Sequence, residues 1–172
     1  IPVIVLLNMR RRQRQVHEGR RRYQDIFEGT GVALCVLDLS GLNAFFDKTR
    51  LETREQLHAW LQDNPDERQQ LLKELRITEV NQVAVRLLNV GSCEQAWERL
   101  IDDSPRNATS IGYQILEAVL TQQNQLELEI QLKDVAGNEQ YLWLVMRLPE
   151  QQDDFKAVIL SISDITSRKL IE

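Results

Sequence analysis

Hydrophobic positions change their period along the chain, and each change marks an element. Residues 1–7 are unbroken apolar, and residues 8–28 follow as a polar helix interrupted only by Gly19. In that helix Met9, Val16 and Tyr23 recur every seven residues, with Ile26 in a d-like position, which traces a thin coiled-coil seam. Gly29 and Gly31 end the helix, and residues 32–38 read as a nearly all-apolar first strand. Strand alternation is then absent over residues 40–75, where two short amphipathic helices are predicted. Thr53 and Gln56 make a capping box ahead of Leu57, Trp60 and Leu61. Asn64 caps a second helix, with Pro65 at its first position, ahead of Leu71, Leu72 and Leu75.

The second half is more regular. Residues 76–80 form a short strand, and Asn81 caps a helix that turns Val83, Ala84, Leu87 and Leu88 inward. Ser92 and Gln95 open another helix with Ala96, Trp97, Leu100 and Ile101 inward, and a Ser104-Pro105 turn leads to a longer one over residues 107–123. Its stripe is Ile111, Ile115, Leu116, Val119 and Leu120. Residues 126–133 and 140–148 alternate cleanly, so each has one buried and one wet face, and Gly137 with Asn138 makes the hairpin between them. Residues 155–164 close the sheet as a strand apolar on both faces, which predicts a central position. Asp164 accepts hydrogen bonds from the amides that follow, and Thr166 or Ser167 caps an exit helix.

Charge separates one end from the rest. Seven arginines against one glutamate put +6 on residues 1–22, which leaves −11 for the remainder of a chain whose net charge is −5. A nucleic-acid face on the main domain is therefore not expected. An apolar end followed at once by clustered arginines is what a membrane helix shows where it leaves on the cytoplasmic side. Seven residues do not span a bilayer, so the anchor is expected to precede residue 1. Cys35 and Cys93 lack paired spacing and read as small buried hydrophobes. With His17 and His58 as the two histidines, no metal cluster is expected. Neither a phosphate-binding glycine loop nor a Ser/His/Asp set is present, so the fragment is expected to be non-catalytic.

Three junctions carry a family resemblance. The run YQDIFEGTGVALCVLDLSG resembles the entry of PAS sensory domains into their first strand. The pattern v-N…a…l-l…g falls on Val80, Asn81, Ala84, Leu87, Leu88 and Gly91. The D-I-T-x-x-K ending falls on Asp164, Ile165, Thr166 and Lys169. Over residues 23–169 the chain thus resembles a PAS domain of a bacterial membrane-anchored signal transduction protein. It departs from the usual pattern in placing 36 residues, 40–75, between strands one and two. That insertion resembles one found in a subset of sensor-kinase PAS domains.

The resemblance implies an α+β fold: a five-stranded antiparallel sheet with helices on one face, an N-terminal signalling helix and a helical insertion between strands one and two. Domain bounds follow as a basic linker helix over residues 1–28, the PAS domain over 29–166 and the start of an output helix over 167–172. A ligand pocket of this fold would be lined by Leu34, Val36, Leu88, Ile115, Val119, Leu128, Ile130, Leu144, Met146 and Ile159. Asn81 joins strand to helix, and Asp164, Ile165, Thr166 and Lys169 transmit the signal. Haem is disfavoured because residues 107–123 hold no histidine, and a flavin adduct because CEQAW around Cys93 does not match N-C-R-F-L-Q. What remains is an unknown small molecule or no cofactor. Implied partners are a second copy through the N-terminal helix, a C-terminal histidine kinase or GGDEF cyclase in the same chain, and the bacterial inner membrane on its cytoplasmic side. The other reading is a ligand-free dimerisation scaffold.

Overall fold

The computed structural model describes residues 2–101 and 105–171, and contacts divide the chain into two units, Ile1–Gly31 and Val32–Glu172. The first is a single helix, α1 (Pro2–Gly29), which runs through Gly19 without a break. It joins the apolar residues and the arginine run in one continuous element, and Tyr23 stacks on Phe27 at 5.7 Å. Among the described residues no helix is long and apolar enough to cross a membrane.

The second unit is built on five antiparallel strands: β1 (Ala33–Asp38), β2 (Arg76–Val80), β3 (Gln125–Lys133), β4 (Glu139–Arg147) and β5 (Val158–Asp164), in the order β2-β1-β5-β4-β3. As expected, β5 is central. The expected reason was wrong, however: Val158, Leu160 and Ile162 are buried, while Ile159 is 47% exposed and shares its face with Ser161 and Ser163. β5 alternates like an ordinary one-sided strand and is central because it pairs with both β1 and β4. Phe155, expected in this strand, is buried in a 3-10 turn (Gln152–Lys156) that precedes it.

Between β1 and β2 lie three helices rather than two: α2 (Ser40–Thr49), α3 (Arg54–Asp63) and α4 (Pro65–Glu74). Asp38 opens the segment by accepting from the Ser40 amide at 2.9 Å and from its hydroxyl, so Ser40-Gly41, a turn signal in the sequence, here starts a helix. The Thr53–Gln56 capping box of α3 forms as expected. Asn64 stands at the N-cap of α4 with Pro65 at the first helical position, as expected, but its side chain makes no cap bond there; its side-chain amide turns back and donates to the Trp60 carbonyl at 2.8 Å, closing α3. The segment is part of the core, since Leu39, Leu42, Leu57, Leu61, Leu71 and Leu75 are all buried.

After β2 come α5 (Gln82–Leu88), α6 (Cys93–Ile101) and α7 (Pro105–Leu120), and after β5 the exit helix α8 (Thr166–Ile171). The Ser92 hydroxyl accepts from the Gln95 amide at 3.1 Å. The Gln95 carbonyl reaches one residue further than a capping box requires, to the Gly91 amide at 2.7 Å. The predicted turn at Ser104 lies outside the described residues. The α7 stripe buries Ile111, Ile115 and Leu116, with Val119 and Leu120 partly covered. The hairpin of β3 and β4 closes with Gly137 at φ 84, a conformation that favours glycine, while the Asp134 carboxylate accepts from the Asn138 amide at 2.8 Å.

Candidate functional site: an apolar cavity and an exit junction

Strand register decides which side chains face the helices. Directly paired residues share a face, and the ladder runs Cys35, Leu160, Met146, Leu126 in one row and Ala33, Ile162, Leu144, Leu128 in the next. This inner face meets α6 and α7 around a small cavity lined by Leu37, Trp97, Leu100, Ile111, Ile115, Leu126, Leu128, Leu144, Met146 and Leu160. Four of the ten expected residues, Ile115, Leu128, Leu144 and Met146, are therefore brought together. Leu88 and Ile130 are buried in the same core but do not line the cavity, and Val119 is partly buried against it.

Leu34, Val36 and Ile159 are corrections: Leu34 pairs with Ser161 and Val36 with Ile159, which puts all three on the opposite face of the sheet. Ile159 lines a shallow groove there, with Val145, Arg147 and Ser161. The run of residues 32–37 has no polar residue to set its phase, so sequence alone left the inner row of β1 undecided. Trp97 and Leu100 were read as core without being assigned to the cavity.

The cavity holds about 10 Å³ of free volume, roughly room for one water, and its lining offers a water almost nothing to bond. Haem or flavin does not fit that volume. Cys35 lies in the inner face, where burial first and the neighbouring Cys93 second push its thiol up to about 12. The Cys93 thiol is also raised, by burial ahead of the charge of Glu79, so its place at the start of α6 does not make it a thiolate. Among the described residues no group of three or more His, Cys, Asp or Glu side chains is placed to hold a metal ion.

Among the described residues, Asn81 is the one fully buried polar side chain of the core. Its Oδ1 accepts from the Ala84 amide at 2.9 Å, capping α5 as expected, and from the Leu34 amide at 3.0 Å. Its Nδ2 donates to the Val32 carbonyl at 2.8 Å, and its own amide to the Leu34 carbonyl at 3.0 Å. One side chain thus caps a helix and extends the β1–β2 ladder past its last backbone pair.

The exit junction is held from two strands. Asp164 accepts from the Thr166 amide at 2.9 Å and from the Thr166 hydroxyl. Burial pushes its carboxyl up, but the two Thr166 bonds and a longer one from Gln140 outweigh that and leave it below the ordinary aspartate value. Thr166 does not cap α8 with its side chain; its hydroxyl accepts instead from the Tyr141 amide of β4 at 3.0 Å, and the Ile165 amide donates to the Tyr141 carbonyl at 2.9 Å. Lys169 reaches Glu129 of β3 at 3.0 Å. Gln140, which the sequence did not single out, donates at 3.4 Å to the Leu87 carbonyl of α5 and at 3.5 Å to Asp164. These are long contacts, but they set one side chain between α5 and the exit turn.

A one-sided antiparallel sheet covered by helices, with strand order 2-1-5-4-3 and a final strand continuing into a helix, defines an open-sheet α+β fold. It is the PAS fold. The chain is similar to the crystal structure of a PAS domain of a protein from Colwellia psychrerythraea, with a TM-score of 0.52, 17% identity and coverage of 86% of this chain and 98% of that one. It is similar as well to a PAS domain of an HTR-like protein from Haloarcula marismortui, with a TM-score of 0.50, 15% identity and coverage of 91% and 99%. A variant of RsLOV matches with a TM-score of 0.51, 12% identity and coverage of 87% and 69%. No protein-family model matches the sequence, and no curated protein matches it significantly.

Proposed function

We propose that this chain is the sensory input domain of a membrane-anchored bacterial signalling protein and passes its state through α8 to a C-terminal effector. The observation that carries the reading is the exit junction: the central strand β5 continues into α8, and Asp164, Thr166 and Lys169 tie the turn to β4 and β3. A signal that favours one packing of sheet and helices shifts the population of two states, and α8 reports the shift. The effector is a histidine kinase, with a GGDEF cyclase as the alternative; an H-E-x-x-x-P box after Glu172 in the parent protein supports the first and a GGDEF motif the second. The domain itself is non-catalytic. A position of the N-terminal apolar run at the cytoplasmic face of the inner membrane is supported by the exposure of Val3, Ile4, Leu6 and Leu7 ahead of the arginine run, and in this reading α1 pairs with a second copy.

The test is Asp164→Ala in the full-length parent. Folding is retained and output no longer follows input; unchanged signalling removes the transmitting role. A second reading, a ligand-free scaffold, is favoured by the free volume of about 10 Å³, because a metabolite would have to open the core to enter. A thermal-shift screen separates the two: one saturable hit supports a small-molecule sensor, and none supports the scaffold.

A further inference from the structure

The seam of α1 extends further than its recurrent large residues. Val5, Met9, Arg12, Val16, Gly19, Tyr23 and Ile26 follow one another at spacings of 4, 3, 4, 3, 4 and 3, which puts Met9, Val16 and Tyr23 at a positions and Val5, Arg12, Gly19 and Ile26 at d positions. On a continuous helix these seven form one stripe. Its five apolar members are 52%, 56%, 60%, 43% and 65% exposed for Val5, Met9, Val16, Tyr23 and Ile26.

We propose that this stripe pairs with the same stripe of a second copy, parallel and in register, and that Arg12 and Gly19 give the pair a weak centre. The proposal deepens the dimer reading above and rests on it. A period of 3.5 residues calls for a helical partner of the same period, and a self-pair stacks methionine on methionine, valine on valine and tyrosine on tyrosine. Parallel register sets Asn8 beside Gln13, Gln15 beside Arg20 and Arg22 beside Phe27 of the other copy, with no like-charged pair at the flanks. Arg10, Arg11, Arg14 and Arg21 fall on the outer positions b, c and f. Parallel orientation also follows from two copies that leave one membrane on the same side.

Arg12 is the exception, since its d position brings guanidinium to guanidinium across the pair. Gly19 adds a d layer with no side chain, and a Cβ there meets nothing within 4 Å. Two apolar ends, Val5 with Met9 and Tyr23 with Ile26, are thus separated by a centre that Val16 alone supports. Repulsion between the Arg12 pair is screened by salt, so this helix pair tightens as ionic strength rises, the reverse of a coil held by salt bridges.

Sedimentation equilibrium on the intact chain tests this. Arg12→Leu is expected to tighten the dimer by about tenfold or more and to abolish the salt effect, and Val16→Ser to loosen it by a similar factor. For register, Met9→Cys is expected to cross-link between copies under oxidation, and Arg14→Cys, on the outer face, is not. Unchanged or weaker association of Arg12→Leu overturns the weak centre, and Met9→Cys that cross-links no better than Arg14→Cys overturns parallel pairing. Neither outcome touches the transmitting role of Asp164, which is read from output in the parent; conversely, loss of that role leaves the seam standing.

Discussion

Asn81 shows how much one side chain contributes when it is both buried and fully used. Its amide serves two donors and one acceptor from three different residues, and replacement by alanine removes the part-buried bonds to the Val32 carbonyl and the Leu34 amide and leaves α5 uncapped. Asn81→Ala is expected to cost roughly 3 kcal/mol in thermal or denaturant unfolding. Asn81→Asp keeps the cap acceptor but loses the donor to Val32 and buries a charge, so it is expected to destabilise as well. A loss under about 1 kcal/mol for the alanine variant would show that water replaces the side chain. The cap was legible from sequence, because an asparagine follows a strand and precedes an apolar helix pattern. The bond to Val32 was not, since it links residues 49 apart and depends on the pairing of β1 with β2.

At the scale of elements, the insertion behaves as a wall of the core. It is joined to α7 at three levels: Leu72 at Gly112, His58 edge-on to Tyr113 at 6.1 Å, and Arg54 to Glu117 at 2.8 Å. The ion pair is partly exposed and contributes little to stability. The notch is the specific feature, because a Cβ at Gly112 would collide with a Leu72 methyl. Gly112→Ala is therefore expected to destabilise by about 1 kcal/mol, offset in part by its gain in helix propensity, and combination with Leu72→Ala should remove the clash. A double-mutant cycle that returns no coupling between these positions would contradict the notch. Elements with caps or clean alternation, such as α3, β3 and β4, were legible because their local signals agree with their burial. α2 was missed since Ser40-Gly41 reads as a turn, although Leu42, Phe45, Phe46 and Thr49 carry a helical spacing. The phase of β1 was ambiguous for a different reason: an all-apolar run fits either face, and only its pairing with β5 fixes which side chains reach the cavity.

For the whole molecule, every residue of the main hydrophobic cluster lies at or beyond Ala33, whereas residues 3–26 are exposed along their length. Trypsin is therefore expected to cut first at the arginines between Arg10 and Arg22, leaving a fragment that begins near Tyr23 and melts within about 2 °C of the intact chain. A collapse in melting temperature on that cleavage would mean that the arginine stretch supports the core. The exit junction has a further consequence at this scale. α8 is continuous with β5, yet its first turn is fastened to β4 at Tyr141 and its body to β3 at Glu129. The helix is thus anchored on the hairpin while it is fed by the central strand. Sliding the hairpin past β5 by a fraction of a residue turns α8, whereas moving all three strands together leaves its pose relative to the sheet unchanged. The pose of α8 is in that sense a strain gauge: it registers shear inside the sheet and ignores rigid displacement of the domain.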